Sequence, residues 1–131
     1  MAGKKKVFIA EDDEIALASL KRLLVLSGYD VEATRSPKEV VTMIKALRPD
    51  VILLDLMMPE LGGFDICELL NRDRQTQGIP IIITSALADD ADIKKAYKLG
   101  VVGYFFKPYD FKELLREINK AISSKETGPD A

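Results

Sequence analysis

The sequence predicts an α/β domain: a parallel sheet covered by helices on both faces, a three-layer, doubly wound arrangement. Three observations carry this expectation. Five short apolar runs alternate with five helix-like patterns, and strict alternation favours parallel strands joined by right-handed crossovers. Three of the runs are nearly continuous apolar blocks, as expected of strands buried on both faces. The 131 residues suit one domain with a real core.

The elements follow in order. "VFIA" (7–10) reads as the first strand, followed by the acidic "EDDE". Residues 14–27 carry Leu17, Leu20 and Leu24 at helical spacing and stop before Gly28, a C′ residue. Asp13 reads as the cap of that helix. After the short strand "VEA" (31–33), "SPKE" suggests a capping box with Ser36 as N-cap, Pro37 at N1 and Glu39 at N3. This second helix should end near Arg48, because Pro49 disfavours helical geometry in the residue before it. "VILLD" (51–55) is the third strand and residues 64–73 the third helix. "IIITS" (81–85) is the fourth strand. Asp89, Asp90 and Asp92 suit the positive end of a fourth helix that stops at Gly100. "YFF" (104–106) is the fifth strand. The last helix places Phe111, Leu115, Ile118 and Ile122 on one stripe behind the N-cap Asp110. The expected limits are a tail over 1–4, one domain over 5–123 and a flexible, polar tail over 124–131.

Composition narrows the function. A net charge of -2 and a pI near 5.2 give no electrostatic basis for direct nucleic-acid binding. The absence of histidine rules out His-based catalysis and His metal ligation. Cys67 is the single cysteine, which suits a reducing, cytoplasmic setting. No apolar run reaches the roughly 18 residues needed to span a bilayer, and the basic start runs into "EDDE" too soon for a signal peptide.

The chemistry lies at strand ends. Asp55 closes the most hydrophobic stretch of the chain, where an unpaired carboxylate is costly. Ligands of open α/β sheets bind beyond the carboxyl ends of the strands, and Glu11 and Asp12 follow the first strand. If the first and third strands are neighbours, several acids share one pocket. Two like charges about 4 Å apart repel by about 4 kcal/mol at an effective dielectric near 20, so the cluster needs a cation or protonation. Oxygen-only ligands favour Mg²⁺, with Mn²⁺ as the alternative. Ser85 and Lys107 end the fourth and fifth strands, and a hydroxyl with an ammonium suits two oxygens of one phosphoryl group. Asp55, alone at its strand end, is the candidate nucleophile for an aspartyl phosphate.

Four motifs carry a resemblance: "AEDDE", "LLDLMMPELGG", "PIIITSA" and "GYFFKPY". In order and spacing, across residues 5–123, the chain resembles the receiver domain of two-component response regulators, the CheY-like family. The resemblance implies the strand order 2-1-3-4-5 of that flavodoxin-like fold. It further implies that Asp55 accepts a phosphoryl group from a phosphohistidine on a sensor histidine kinase or a histidine phosphotransfer protein. Asp12 and Asp55 then hold Mg²⁺ with the backbone carbonyl of Met57, and Glu11 acts through water. Lys107, Ser85 and Tyr104 are the phosphate-binding and switch residues, and Pro108 shapes the Lys107 loop through a cis bond. The resemblance also implies a readout face on the fourth helix, fifth strand and fifth helix, including Lys94, Lys98, Tyr104 and Lys112, for a downstream effector protein or domain. Such a chain is a switch that catalyses only its own phosphorylation and dephosphorylation.

Departures from the family pattern add expectations. Glu11 stands where Asp is commoner. "GVVGY" (100–104) lacks the acidic pair of many winged-helix regulators, which points to a monomer or weak dimer. Met57 and Leu87, each two residues beyond a site residue, are apolar and predict slow autodephosphorylation. Other function classes fit less well. A haloacid-dehalogenase-like phosphohydrolase needs a second Asp where Met57 stands. A flavin or nucleotide carrier needs a phosphate-binding loop where "EDDE" stands. A receiver-like module that is never phosphorylated is disfavoured by the filled chemical positions. Whether the chain acts alone or belongs to a longer protein stays open, as do its cognate kinase and pathway.

Overall fold

A computed structural model describes residues 3–126. The chain alternates β1 (Lys6–Ala10), α1 (Glu14–Leu26), β2 (Asp30–Thr34), α2 (Val40–Leu47), β3 (Val51–Asp55), α3 (Gly63–Arg72), β4 (Ile81–Ser85), α4 (Asp90–Lys98), β5 (Gly103–Phe106) and α5 (Phe111–Glu126). All strands are parallel in the order β2-β1-β3-β4-β5, as the resemblance implies. α5 runs past the expected boundary at 123, and residues 127–131 of the expected tail lie outside the described residues, as do residues 1 and 2.

Side chains alternate across the sheet with period two, and this divides the core. Phe8, Ile52, Leu54 and Ile83 face one layer, where they meet Val40 and Ile44 of α2, Ile66 and Leu70 of α3, and Ala96 of α4. Val7, Ile9, Leu53 and Ile82 face the other, against Leu20 and Leu24 of α1 and Leu114 and Ile118 of α5. β3 and β4 are buried at every position. This explains their continuous apolar sequence.

Most helix ends follow the sequence signals. Asp13 accepts a hydrogen bond from the Ala16 amide at 3.2 Å, and Asp89 one from the Ala91 amide at 3.0 Å. α1 and α4 stop before Gly28 and Gly100, whose φ angles of 99° and 95° suit only glycine readily. The second helix departs from expectation. Pro37–Glu39 forms a 3₁₀ turn, α2 proper begins at Val40, and the Ser36 side chain makes no cap bond. Thr34 takes over that role. Its hydroxyl accepts from the Ser36 amide at 3.1 Å and donates to the Glu39 carboxylate at 3.1 Å, while the Glu39 amide donates to the Ser36 carbonyl at 3.1 Å, so neither half of the capping box forms. At the far end Arg48 adopts a left-handed conformation, φ 48°, immediately before Pro49.

One contact fixes the frame around the strand ends. A Cβ at Gly63 would lie 2.5 Å from the Leu56 Cα, and the Gly63 amide donates to the Leu56 carbonyl at 3.1 Å. Only glycine lets the start of α3 sit this close to the chain leaving β3.

Candidate functional site

β1 and β3 are adjacent, with Ala10 in register with Leu54, so the residues that follow each strand share one cleft. Glu11 and Asp55 are both 4% exposed, and Asp12 is half-buried beside them. One carboxylate oxygen from each of the three lies within 4.8 Å of the others. Asp13, by contrast, turns away to cap α1.

The cluster is balanced by Lys107, which β5 delivers from the other side. Its Nζ donates to Glu11 Oε1 at 2.5 Å and to Asp55 Oδ2 at 3.2 Å. The other carboxylate oxygens of Asp55 and Glu11 also have partners: Asp55 Oδ1 accepts from the Met57 amide at 2.9 Å, and Glu11 Oε2 from the Asp13 amide at 3.2 Å. No side-chain nitrogen or oxygen buried among the described residues lacks a partner. Burial pushes the Glu11 carboxyl above its usual range, and nearby Asp55 adds to this. The bond from Lys107 pulls the other way without overcoming them. For Lys107 itself, burial works against the charge, yet Glu11 and Asp55 more than offset it and hold the ammonium above its usual value. The Lys107–Pro108 peptide bond is cis.

A second set of groups stands at the ends of β4 and β5. Ser85 is fully buried, and its Oγ accepts from the Leu87 amide at 3.0 Å. The Tyr104 hydroxyl donates to the Leu87 carbonyl at 2.9 Å. The Ser85 carbonyl accepts from the Lys107 amide at 2.8 Å, which ties this set to the acidic cleft. The structure therefore brings Glu11, Asp12, Asp55 and Lys107 together directly, with Ser85 and Tyr104 linked through the Leu87 backbone. The Glu11–Lys107 pair was invisible in the sequence, because the two residues lie 96 positions apart and nothing in either motif states the reach of a glutamate arm.

The donors fit a hard divalent ion. They are all oxygen, and two are buried carboxylates. The acidic triad is consistent with a divalent metal site.

A family model for the response regulator receiver domain matches residues 7–119. The chain belongs to that family. It is 29% identical over 126 residues to the DNA-binding response regulator MtrA of Mycolicibacterium smegmatis, covering 96% of this chain and 54% of that protein. The receiver spans about half the length of curated relatives such as this one. Among solved structures, a CheY-like receiver domain protein from Methanospirillum hungatei matches with a TM-score of 0.89 at 25% identity, over 95% of this chain and 98% of that one. The receiver domain of a signal transduction histidine kinase from Syntrophus aciditrophicus gives a TM-score of 0.84 at 29% identity, over 94% and 92% of the two chains. The chain is thus a receiver domain of two-component signalling; receivers act as signalling switches and generally partner a histidine kinase. No helix among the described residues is long and apolar enough to cross a membrane.

Proposed function

We propose that this receiver takes a phosphoryl group on Asp55 from the phosphohistidine of a histidine kinase or phosphotransfer protein. The observation that carries the reading is the convergence of Glu11, Asp12 and Lys107 on one buried, strand-terminal aspartate. An Asp55 carboxylate oxygen attacks phosphorus, a P–O bond forms, the P–N bond to the donor imidazole breaks, and the nitrogen keeps the electron pair. Asp12, Asp55, the Met57 carbonyl and, through water, Glu11 would hold Mg²⁺, which when bound would supply positive charge for the phosphoryl oxygens. Mn²⁺ suits the same ligands. Lys107 shifts from pairing two carboxylates to pairing the new phosphoryl oxygens.

Phosphorylation replaces a singly charged carboxylate by an acyl phosphate of about −2, a net gain of about one negative charge, and adds strong acceptors. It redistributes conformations only by interacting differently with the two states. Ser85 supplies that difference by releasing the Leu87 amide and donating its hydroxyl to the phosphoryl group. Because Tyr104 is bonded to the Leu87 carbonyl, the movement reaches α4, β5 and α5, the face where Lys94, Lys98, Tyr104 and Lys112 meet a downstream effector. The shape of the Lys107 loop, including Pro108, keeps the ammonium over the cleft.

The decisive experiment is incubation with acetyl phosphate and Mg²⁺, followed by intact mass measurement. The wild type gains one phosphoryl group and Asp55→Asn gains none. Equal labelling of both, or labelling of neither, rules the reading out. The phosphoryl group is long-lived, because exposed Met57 and half-buried Leu87 flank the approach to Asp55 and cannot orient a hydrolytic water. A Met57→Asn, Leu87→Glu variant loses its phosphoryl group faster than the wild type. An unchanged rate contradicts this.

A further inference from the structure

The acidic cleft has a cation on each side. Lys107 reaches in from the β5 side, and Arg35 stands on the opposite flank, immediately after β2. Ala10 is in register with Thr34, and the pairing continues one residue further, where the Glu11 amide donates to the Thr34 carbonyl at 3.2 Å. The Arg35 backbone therefore runs beside the β1–α1 loop. From there its Nε donates to the Asp12 carbonyl at 3.0 Å, and its Nη1 lies 3.6 Å from Glu14 Oε2. The second contact is a loose ion pair between side chains 55% and 79% exposed, worth little in water. The first ties β2 to a member of the acidic triad.

The three carboxylates of the triad are held in different ways. Those of Glu11 and Asp55 are fixed by their own hydrogen bonds, to Lys107 and to backbone amides. The Asp12 carboxylate accepts no hydrogen bond among the described residues, so its place depends on the backbone that carries it. We infer that Arg35 is a positioning residue for divalent-ion binding: its bond to the Asp12 carbonyl holds the β1–α1 loop so that the Asp12 carboxylate stays beside that of Asp55. This role rests on the metal-site reading above and adds to it a residue that touches neither the ion nor the phosphoryl group. Arg35 has two properties with opposite consequences. Its charge repels a divalent ion, so a purely electrostatic role predicts tighter ion binding once it is removed. Its hydrogen bond orders a ligand in advance, so a positioning role predicts weaker binding. The sign of the change decides between them.

The test is a titration of the full chain with Mg²⁺, followed by ¹⁵N NMR shifts in the absence of any phosphoryl donor. Arg35→Gln places an amide N–H at the same point along the side chain as Nε and carries no charge. Arg35→Met has neither donor nor charge. The expected result is that Arg35→Met binds Mg²⁺ about three- to tenfold more weakly than the wild type, the range of one hydrogen bond. Arg35→Gln, which restores the donor, binds it no more than about twofold more weakly. Urea midpoints of both variants without Mg²⁺ match the wild type, as expected of an exposed side chain. Binding by Arg35→Met that equals or exceeds that of the wild type overturns the inference. So does Arg35→Gln binding as weakly as Arg35→Met, or a loss of binding accompanied by a matching fall in urea midpoint, since the bond would then serve the fold and not the ligand. A wild type that does not bind Mg²⁺ overturns the metal-site reading and this role with it. A wild type that binds while Arg35→Met matches it overturns the role of Arg35 alone.

Discussion

β3 and β5 are strands of the same sheet with opposite characters. All five residues of β3 are buried, ending in Asp55, whereas in β5 burial falls steadily from Gly103 to the exposed Phe106. β3 lies between two partners and β5 has one. The central strand therefore holds Asp55 in a fixed frame, and the edge strand presents side chains that can change place at little cost. The proposed acceptor and the proposed readout are separated by two strand spacings, with the stiff element at one end and the adaptable one at the other.

That contrast is open to direct attack by substitution. Leu54→Ala in β3 should cost the most, about 3 to 4 kcal/mol in urea unfolding, because a fully buried leucine leaves a cavity that the sheet cannot close. A cost below about 1 kcal/mol would show that the central strand is not the rigid frame.

Next comes Lys107→Met, at about 2 kcal/mol near neutral pH in the presence of a chelator. This is below the fully buried case because the lysine side chain is 28% exposed. The loss should depend on pH with a definite sign. The folded protein holds the Glu11 proton more tightly than the unfolded chain. Stability from this group is therefore intact below its ordinary value of 4.5 and declines as pH rises through the raised folded value. Removing the lysine takes away a bond that lowers this value and deepens the decline. Urea midpoints of variant and wild type should diverge as pH rises above 4.5; a constant difference contradicts the pairing.

Tyr104→Phe should cost about 1 kcal/mol, the worth of one hydrogen bond to the Leu87 carbonyl. It should also weaken the response of residues 104–113 to phosphorylation, read as NMR shift differences. Phe106→Ala is expected to have the smallest effect, below about 0.5 kcal/mol, since so much of the ring is already in water. A larger loss would mean that the edge is part of the core.

The ease of reading each region from sequence follows the same gradient. β3 and β4 are found at their expected limits, 51–55 and 81–85, because burial on both faces demands an unbroken apolar block. β2 and β5 are each longer than the expected 31–33 and 104–106, because half-exposed strands carry a weaker pattern. The capping box at Ser36 misled because the sequence cannot show that Thr34, at the end of β2, reaches the same groups first. At the site, the residue types at strand ends reveal Asp55, Asp12, Ser85 and Lys107, but not which oxygen each ammonium proton seeks. The exposure of Phe106 is not legible from "YFF" itself, which is apolar throughout; the edge position of β5 comes only with the strand order that the resemblance implies.

The contact at Gly63 has a directional consequence. With helix α3 pressed against the chain just after Asp55 and no side chain between them to deform, that flank of the proposed acceptor is a backstop. Under the proposed phosphotransfer, a push generated at the aspartate meets a wall there and yielding ground toward β4 and β5, so the signal's heading would be set by the want of a single methyl group.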